Sequence, residues 1–179
     1  MSDTTYVVTD AGPLLALAKI DCLALLFQLY GPVLTTPTVY DETVKVGLAL
    51  EAPDAVLLAE AFDKQQLQVR VPKLRDLSVP ALLQRGEEEA LSLAIELEAK
   101  WLLVDDLTAR RAAEANFSAF GVSTKVKGTL GVIVSAYQDH LLSHKEAIST
   151  IEALKIRPDV WLDADLCYQV IVSLEAATS

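Results

Sequence analysis

An α/β fold, with a mainly parallel sheet covered by helices on both faces, is predicted by three features of the sequence. Short runs of β-branched and aliphatic residues, such as TYVVT at 5–9 and WLLV at 101–104, alternate along the chain with segments of helical period. These runs are apolar throughout rather than at every second position, which marks strands buried on both sides. A length of 179 residues with 52% hydrophobic side chains suits one domain with one sizeable core, which excludes a disordered or low-complexity chain.

Each element has a local reason. TYVVT stops at Asp10-Ala11-Gly12-Pro13, read as a tight turn, and Pro13 suits the first position of a helix carried by LLALAKI. Asp21 is placed to cap a second short helix in DCLALLF, and Gly31-Pro32 then leads into a second strand, VLTT. Thr36 is a good N-cap before Pro37, opening a helix through TVYDETVKVG that Gly47 would stop. A helix is expected over 53–66 and a strand in LQVRV at 67–71, whereas 72–85 holds two prolines and no period and reads as a loop. After Gly86, EEEALSLAIELEAK puts Ala90, Leu93, Ala94 and Leu97 on one helical face. WLLVDD is a strand ending in two acids, LTARRAAEANF a helix, the region near 120–126 a strand, and Gly128 the start of another helix. SHKEAISTIEALK and DADLCYQVIVSLEA complete the chain as amphipathic helices, and no internal repeat is visible.

Charge narrows the function. With 25 acidic and 15 basic residues the formal net charge is −10, which excludes a basic nucleic-acid-coating protein. Binding to a polyanion would have to be local and metal-assisted. Cys22 and Cys167 lie far apart with no CxxC or Cys/His cluster, so neither a disulfide framework nor a zinc site is expected, and both are read as buried thiols. The first residues, MSDTTYVVTD, carry acids and no base before Lys19, the wrong charge for a secretory or transit peptide. No apolar run approaches the roughly 18 to 20 residues that span a bilayer. A soluble, cytoplasmic protein without membrane attachment is expected.

In open α/β sheets the functional crevice lies beyond the carboxyl ends of the strands. Asp10 ends the first strand, and Asp105 and Asp106 end WLLV. Taken singly, Asp10 reads as a turn or capping residue and Asp106 as an N-cap with Asp105 beside it. Taken together, acids ending two strands distant in sequence are not needed for folding. Glu42 shares a helical stripe with Val39 and Val46, where a carboxylate is costly unless paired or metal-bound. Glu87, Glu88 and Glu89 crowd a helix start, where the macrodipole alone favours acids. Of the three, Glu89 abuts the buried Ala90 and Leu93, while Glu88 projects elsewhere.

Such a set of carboxylates, with no His or Cys nearby in sequence, is an all-oxygen environment suited to Mg²⁺ or Mn²⁺. Like charges that converge need cations to stay ionised. The chemistry best supported is metal-assisted phosphodiester hydrolysis, in which ions acidify an attacking water and stabilise charge on the attacking and leaving oxygens. His140 and His144 are separated by a helix break and read as surface histidines. P-loop, dinucleotide and GxSxG motifs do not occur. Gly128-Thr129-Leu130-Gly131, at a helix start, suits either phosphate held by N–H groups and the Thr129 hydroxyl or a closely packed cap. Arg110 and Arg111, one turn beyond the strand-end acids, are either solvated charges or a phosphate contact.

The segments VVTDAGPLLALAKIDCLALL at 7–26, TPTVYDETV at 36–44, GEEEALSLA at 86–94, LLVDDLTARRAA at 102–113 and KGTLGVI at 127–133 resemble, in order and spacing, the PIN domains, and among them the VapC-toxin-like proteins. The resemblance implies a three-layer α/β/α sandwich with extra C-terminal helices: a nuclease domain over residues 1–155, with 156–179 packing on it. It implies a Mg²⁺ or Mn²⁺-dependent ribonuclease whose acids are Asp10, Glu42, Glu89 and one of Asp105 or Asp106. It also implies an RNA substrate, a small antitoxin partner and a homodimer. Ala11-Gly12 replaces the serine or threonine that often follows the first acid, and Glu88 adds a charge where the family usually has a small residue. Two other functions compete: a catalytically weak module docking a basic partner in its acidic pocket, and a phosphoacceptor domain using Asp10.

Overall fold

The computed structural model of the chain describes residues 5–74 and 77–177. Five three-residue strands, β1 (Val7–Thr9), β2 (Val33–Thr35), β3 (Leu67–Val69), β4 (Trp101–Leu103) and β5 (Lys125–Lys127), form one sheet in the order β3-β2-β1-β4-β5. Every neighbouring pair is parallel, with Val8 opposite Leu34 and Leu102. The order places β1 centrally and brings β4 to its side, although more than ninety residues separate them in sequence.

The period of two in a strand sorts its side chains into two cores. Val7, Val33, Leu67 and Leu103 enter one, with Leu14, Leu17 and Leu26 from α1 (Ala11–Lys19) and α2 (Ala24–Tyr30). Val8, Leu34 and Leu102 enter the other, with Ala90, Leu93 and Ala94 of α6 (Arg85–Glu96) and Phe117 of α7 (Leu107–Phe120). The first core also takes Ile133 of α8 (Thr129–Gln138), Ile151 of α9 (His144–Lys155) and Cys167 and Ile171 of α10 (Ala164–Ala176). Helices thus cover both faces and the architecture is the α/β/α sandwich. Cys167 is buried and Cys22 only half-buried, and both are unpaired thiols.

Several local expectations are corrected. Helix α1 begins at Ala11, so the tight turn is only Asp10 in extended conformation, and Pro13 sits third in the helix, where an N–H is still dispensable. Asp21 does not cap α2; it takes φ 56° just after α1, and Leu23 holds the N-cap position. Gly47 does not stop its helix. α3 (Pro37–Tyr40), a π-helical turn (Asp41–Lys45) and α4 (Val46–Ala49) run on through it, and its missing Cβ serves packing instead, since a Cβ there would meet the Ala55 Cβ of α5 (Pro53–Asp63) at 2.6 Å. β5 starts later than expected, since α7 continues to Phe120 and ends on left-handed Gly121. The aperiodic segment before α6 is held by side chains: Ser92 donates to Leu74 O at 2.8 Å, and Asn116 donates to Ser78 O at 2.9 Å. Among the described residues no helix is long and apolar enough to cross a membrane.

Leu17, fully buried under the sheet, is expected to cost about 2–5 kcal/mol of stability when replaced by Ala. Exposed Ile156→Ala is expected to fall within about 0.5 kcal/mol of wild type. Urea denaturation reads both, and equal effects would contradict the layer arrangement.

Candidate active site

The acids arrive at the crevice by different routes. β1 hands over to α1 with no intervening turn, so Asp10 stands at the N-cap position, yet its side chain makes no capping hydrogen bond. The backbone around it is fixed: Asp10 N donates to Leu103 O at 3.0 Å, Thr9 Oγ1 to Asp10 O at 3.0 Å, and Thr35 Oγ1 to Thr9 O at 2.8 Å. At the end of β4 the two acids divide their work. Asp106 Oδ1 accepts from Ala109 N at 2.8 Å and caps α7. Asp105 turns instead to α8, accepting from Thr129 N on Oδ1 at 2.7 Å and from Thr129 Oγ1 on Oδ2 at 2.6 Å. A Cβ on Gly128 would lie 2.8 Å from Asp105 Oδ1, so glycine is what permits this approach.

Glu42 and Glu87 complete the lining. A Cβ on Gly86 would stand 3.2 Å from Glu42 Oε2 and 3.5 Å from Asp10 Oδ1, so both oxygens converge on the start of α6. Glu87 is the third residue of α6 and its Oε2 accepts from Gln84 N at 2.9 Å, one half of a capping box. Asp10, Glu42, Glu87, Asp105 and Asp106 line one crevice of about 580 Å³, with Lys19 and Asp159 also on its wall.

Burial and mutual repulsion govern their protonation. Asp10, 8% exposed, is pushed up to about 6, chiefly by burial, with the Glu42 and Asp105 charges adding to it and the nearby Ala11 and Gly12 amides opposing. Burial also raises Asp105, against the pull of Thr129 and the Arg110 charge. Glu42 rises through burial and then the charges of Glu87, Glu89 and Asp41, and Glu87 through burial and the charges of Asp10 and Asp106.

Of the residues predicted from sequence, the structure brings together Asp10, Glu42, Asp105 and Asp106. Glu42 does so by a different route from the one expected. The π-helical turn shifts the phase after Val39, so that Thr43 and Val44 are buried while Glu42 and Val46 are exposed; Glu42 belongs to the open crevice and not to an apolar stripe.

Glu89 is not brought in. Its Oε1 accepts from Arg85 Nε at 2.9 Å, and it lines a separate cavity with Pro37, Val71 and Leu74. Its Oε2 is buried and makes no well-formed hydrogen bond, yet Thr38 lies close. Burial raises the group, but Thr38 and Arg85 together outweigh it and hold the carboxyl below its ordinary value. Glu87 takes the crevice position, because two helical steps of about 100° turn residues 87 and 89 to opposite sides of α6. The sequence signal for Glu87 was its three-residue spacing from Gln84.

Thr129 is not placed to contact phosphate: it is fully buried, and its N–H and hydroxyl are both engaged by Asp105. Arg111 is exposed on the outer side of α7, whereas Arg110 borders Asp105 and Gly128. The Lys19–Asp159 pair on the crevice wall had no local sequence signal, since the partners lie 140 positions apart.

The donor set fits a hard divalent cation in kind. It is all carboxylate, with Asp10, Glu42, Glu87 and Asp105 raised in pKa chiefly by burial and the first three further by like charge, and Mg²⁺ needs only one or two carboxylates when waters and phosphate oxygens supply the rest. Among the described residues no group of three or more acidic, His or Cys side chains is arranged to hold an ion unaided.

A family profile described as PIN domain matches residues 6–176. No curated protein and no solved structure matches the chain.

Asp10 titrates near 3.8 when unfolded and about 6 when folded, so the folded state binds more protons between those values. The stability this contributes, about 3 kcal/mol at most, is full below the lower value and lost as pH rises through the upper one. In EDTA the protein is therefore expected to melt at a higher temperature near pH 5 than near pH 7.5. Asp10→Asn flattens that dependence, and Mn²⁺ raises the melting temperature near pH 7.5. An unchanged pH profile in Asp10→Asn would show that the burial of this carboxyl is misjudged.

Proposed function

The chain belongs to the PIN domain family, whose members are in general nucleases, and we propose that it is a divalent-metal-dependent endoribonuclease hydrolysing RNA phosphodiesters. The observation that supports this reading most directly is the convergence of Asp10, Glu42, Glu87 and Asp105 from β1, the π-helical turn, α6 and β4 onto one crevice. Asp10 and Asp105, from the ends of adjacent strands, are the residues to hold Mg²⁺ or Mn²⁺, with Glu42, Glu87 and Asp106 around them. When bound, such an ion supplies charge neutralisation for the scissile phosphate and acidifies the attacking water.

The protein's own contribution is placement. Thr129 locks both oxygens of Asp105, so that carboxylate meets its ligand without reorganising. Asp10 is anchored through its backbone, and the Ala11 and Gly12 amides favour its ionised form against burial. The products are 5′-phosphate and 3′-hydroxyl ends. Its biological setting, in this reading, is the cytoplasmic toxin-like half of a toxin–antitoxin pair: a homodimer whose small antitoxin partner blocks the crevice.

With Mn²⁺ and RNA substrates that include structured tRNA, Asp10→Asn and Asp105→Asn are expected to lose at least about 100-fold in cleavage rate. Glu87→Gln loses activity as well, and Glu89→Gln stays near wild type. The reading is sunk if wild type cleaves none of these RNAs while Asp10→Asn still binds Mn²⁺ as tightly.

A further inference from the structure

Beside Asp105 the crevice adjoins a second groove of about 590 Å³ that the hydrolytic chemistry does not use. Its walls are mostly carbon, from Leu107, Val126, Leu130, Leu162 and Leu166. Asp105, Trp161 and Leu162 line both grooves, so the two adjoin. Arg110 stands at their junction, its Nη1 3.2 Å from where a Cβ on Gly128 would sit. Lys127 also reaches this groove, but its ammonium is engaged elsewhere: it donates to Ser135 Oγ at 2.7 Å and to Tyr30 Oη at 3.1 Å, and sits 3.9 Å over the Trp101 ring. Arg110 is thus the cation available to a ligand there.

Trp161 is 93% exposed, an uncommon state for the largest side chain. It does not hang from a loose segment. Two residues before it, Asp159 is clasped from both sides: Lys19 Nζ donates to Asp159 O at 2.7 Å and pairs with Oδ2 at 3.3 Å, and Arg157 grips the carboxylate with two bonds of 2.9 Å. The indole therefore stands at the rim between an acidic crevice and a carbon-lined groove on an anchored backbone.

We propose that this groove receives one unpaired nucleobase of single-stranded RNA, stacked on Trp161, with the adjoining backbone phosphate beside Arg110. The inference rests on the ribonuclease reading for its substrate class. A phosphodiester at the acids carries bases on its adjoining nucleotides, and the second groove shares Asp105 with the acidic crevice, so it is a place such a base can reach. A net charge of −10 opposes grip through the backbone charges, so affinity must come from an uncharged contact, and stacking on an exposed aromatic is one. A base inside a duplex has both faces covered and cannot use the ring, so the site selects unpaired nucleotides.

The test uses the full chain in EDTA, titrated with a ten-nucleotide single-stranded RNA, with indole fluorescence and sedimentation as readouts. Because Trp161 is solvated, Trp161→Ala leaves the fold intact. The RNA is expected to quench wild-type fluorescence, and Trp161→Ala to lose that quench and bind about tenfold more weakly. Trp161→Phe retains most of the affinity, and the same sequence as a duplex produces no quench. Equal RNA affinity in Trp161→Ala, or equal quenching by the duplex, overturns the proposal. Loss of self-association in Trp161→Ala with RNA affinity unchanged overturns it in favour of a protein interface. The two readings separate cleanly: Trp161-dependent RNA binding without cleavage in Mn²⁺ removes the nuclease and keeps the base site, whereas cleavage with an unchanged KM in Trp161→Ala does the reverse.

Discussion

The paired hydrogen bonds from Thr129 to Asp105 are the contact on which the carboxyl end of the sheet depends. A helix start leaves N–H groups without partners and carries a partial positive charge. In α8 that requirement is met by an anion from within the protein and not by a substrate phosphate. The arrangement fixes the end of β4 against α8, requires glycine at 128, and aims Asp105 toward Gly12, whose would-be Cβ lies 3.4 Å from Oδ2. Since β4 pairs with β1, holding Asp105 in this way also fixes its position relative to Asp10.

That geometry sets stability against function. Charge-assisted hydrogen bonds contribute about 1.5–3 kcal/mol each and oppose the desolvation of Asp105 without overcoming it, since its carboxyl is still raised. Asp10 has only the backbone amides of Ala11 and Gly12 against its burial and the charges of Glu42 and Asp105, and its carboxyl is pushed up to about 6. A chain selected for stability alone would place an amide or an alcohol at position 10. Retaining a carboxylate there makes sense if a cation normally supplies the missing charge, and the same repulsion that destabilises the metal-free site then drives cation binding.

How much of this was legible follows from what each signal reports. The strands were readable because uninterrupted apolar runs flanked by turn residues have few other uses, and Asp10, Asp105 and Asp106 followed from where those runs stop. Within Asp105-Asp106, sequence could not divide cap from crevice, because the choice depends on Thr129, 24 positions away. Glu89 was preferred to Glu87 on the ground of its buried neighbours, yet flanking burial does not say which way a side chain leaves the helix. The capping geometry of Gln84 and Glu87 does. Glu42 was chosen on a stripe that ordinary helical phase would make, and the π-helical turn removes that phase while still delivering the carboxylate. Gly47 was read as a stop because glycine commonly ends helices, but here the absent Cβ serves the packing of Ala55.

The net charge of −10 then has two separate meanings. Part of it is concentrated where Asp10, Glu42, Glu87, Asp105 and Asp106 meet, a place that a divalent cation turns from repelling phosphate to attracting it. The rest lies outside that crevice and continues to repel a polyanion. A hydrolase of this kind must recognise its substrate over a few nucleotides, by contacts that do not depend on charge. The carbon-lined groove beside the acids has that character, and on the proposed ribonuclease reading its sharing of Asp105 and Trp161 with the acidic crevice would make recognition and chemistry neighbours along the same stretch of RNA.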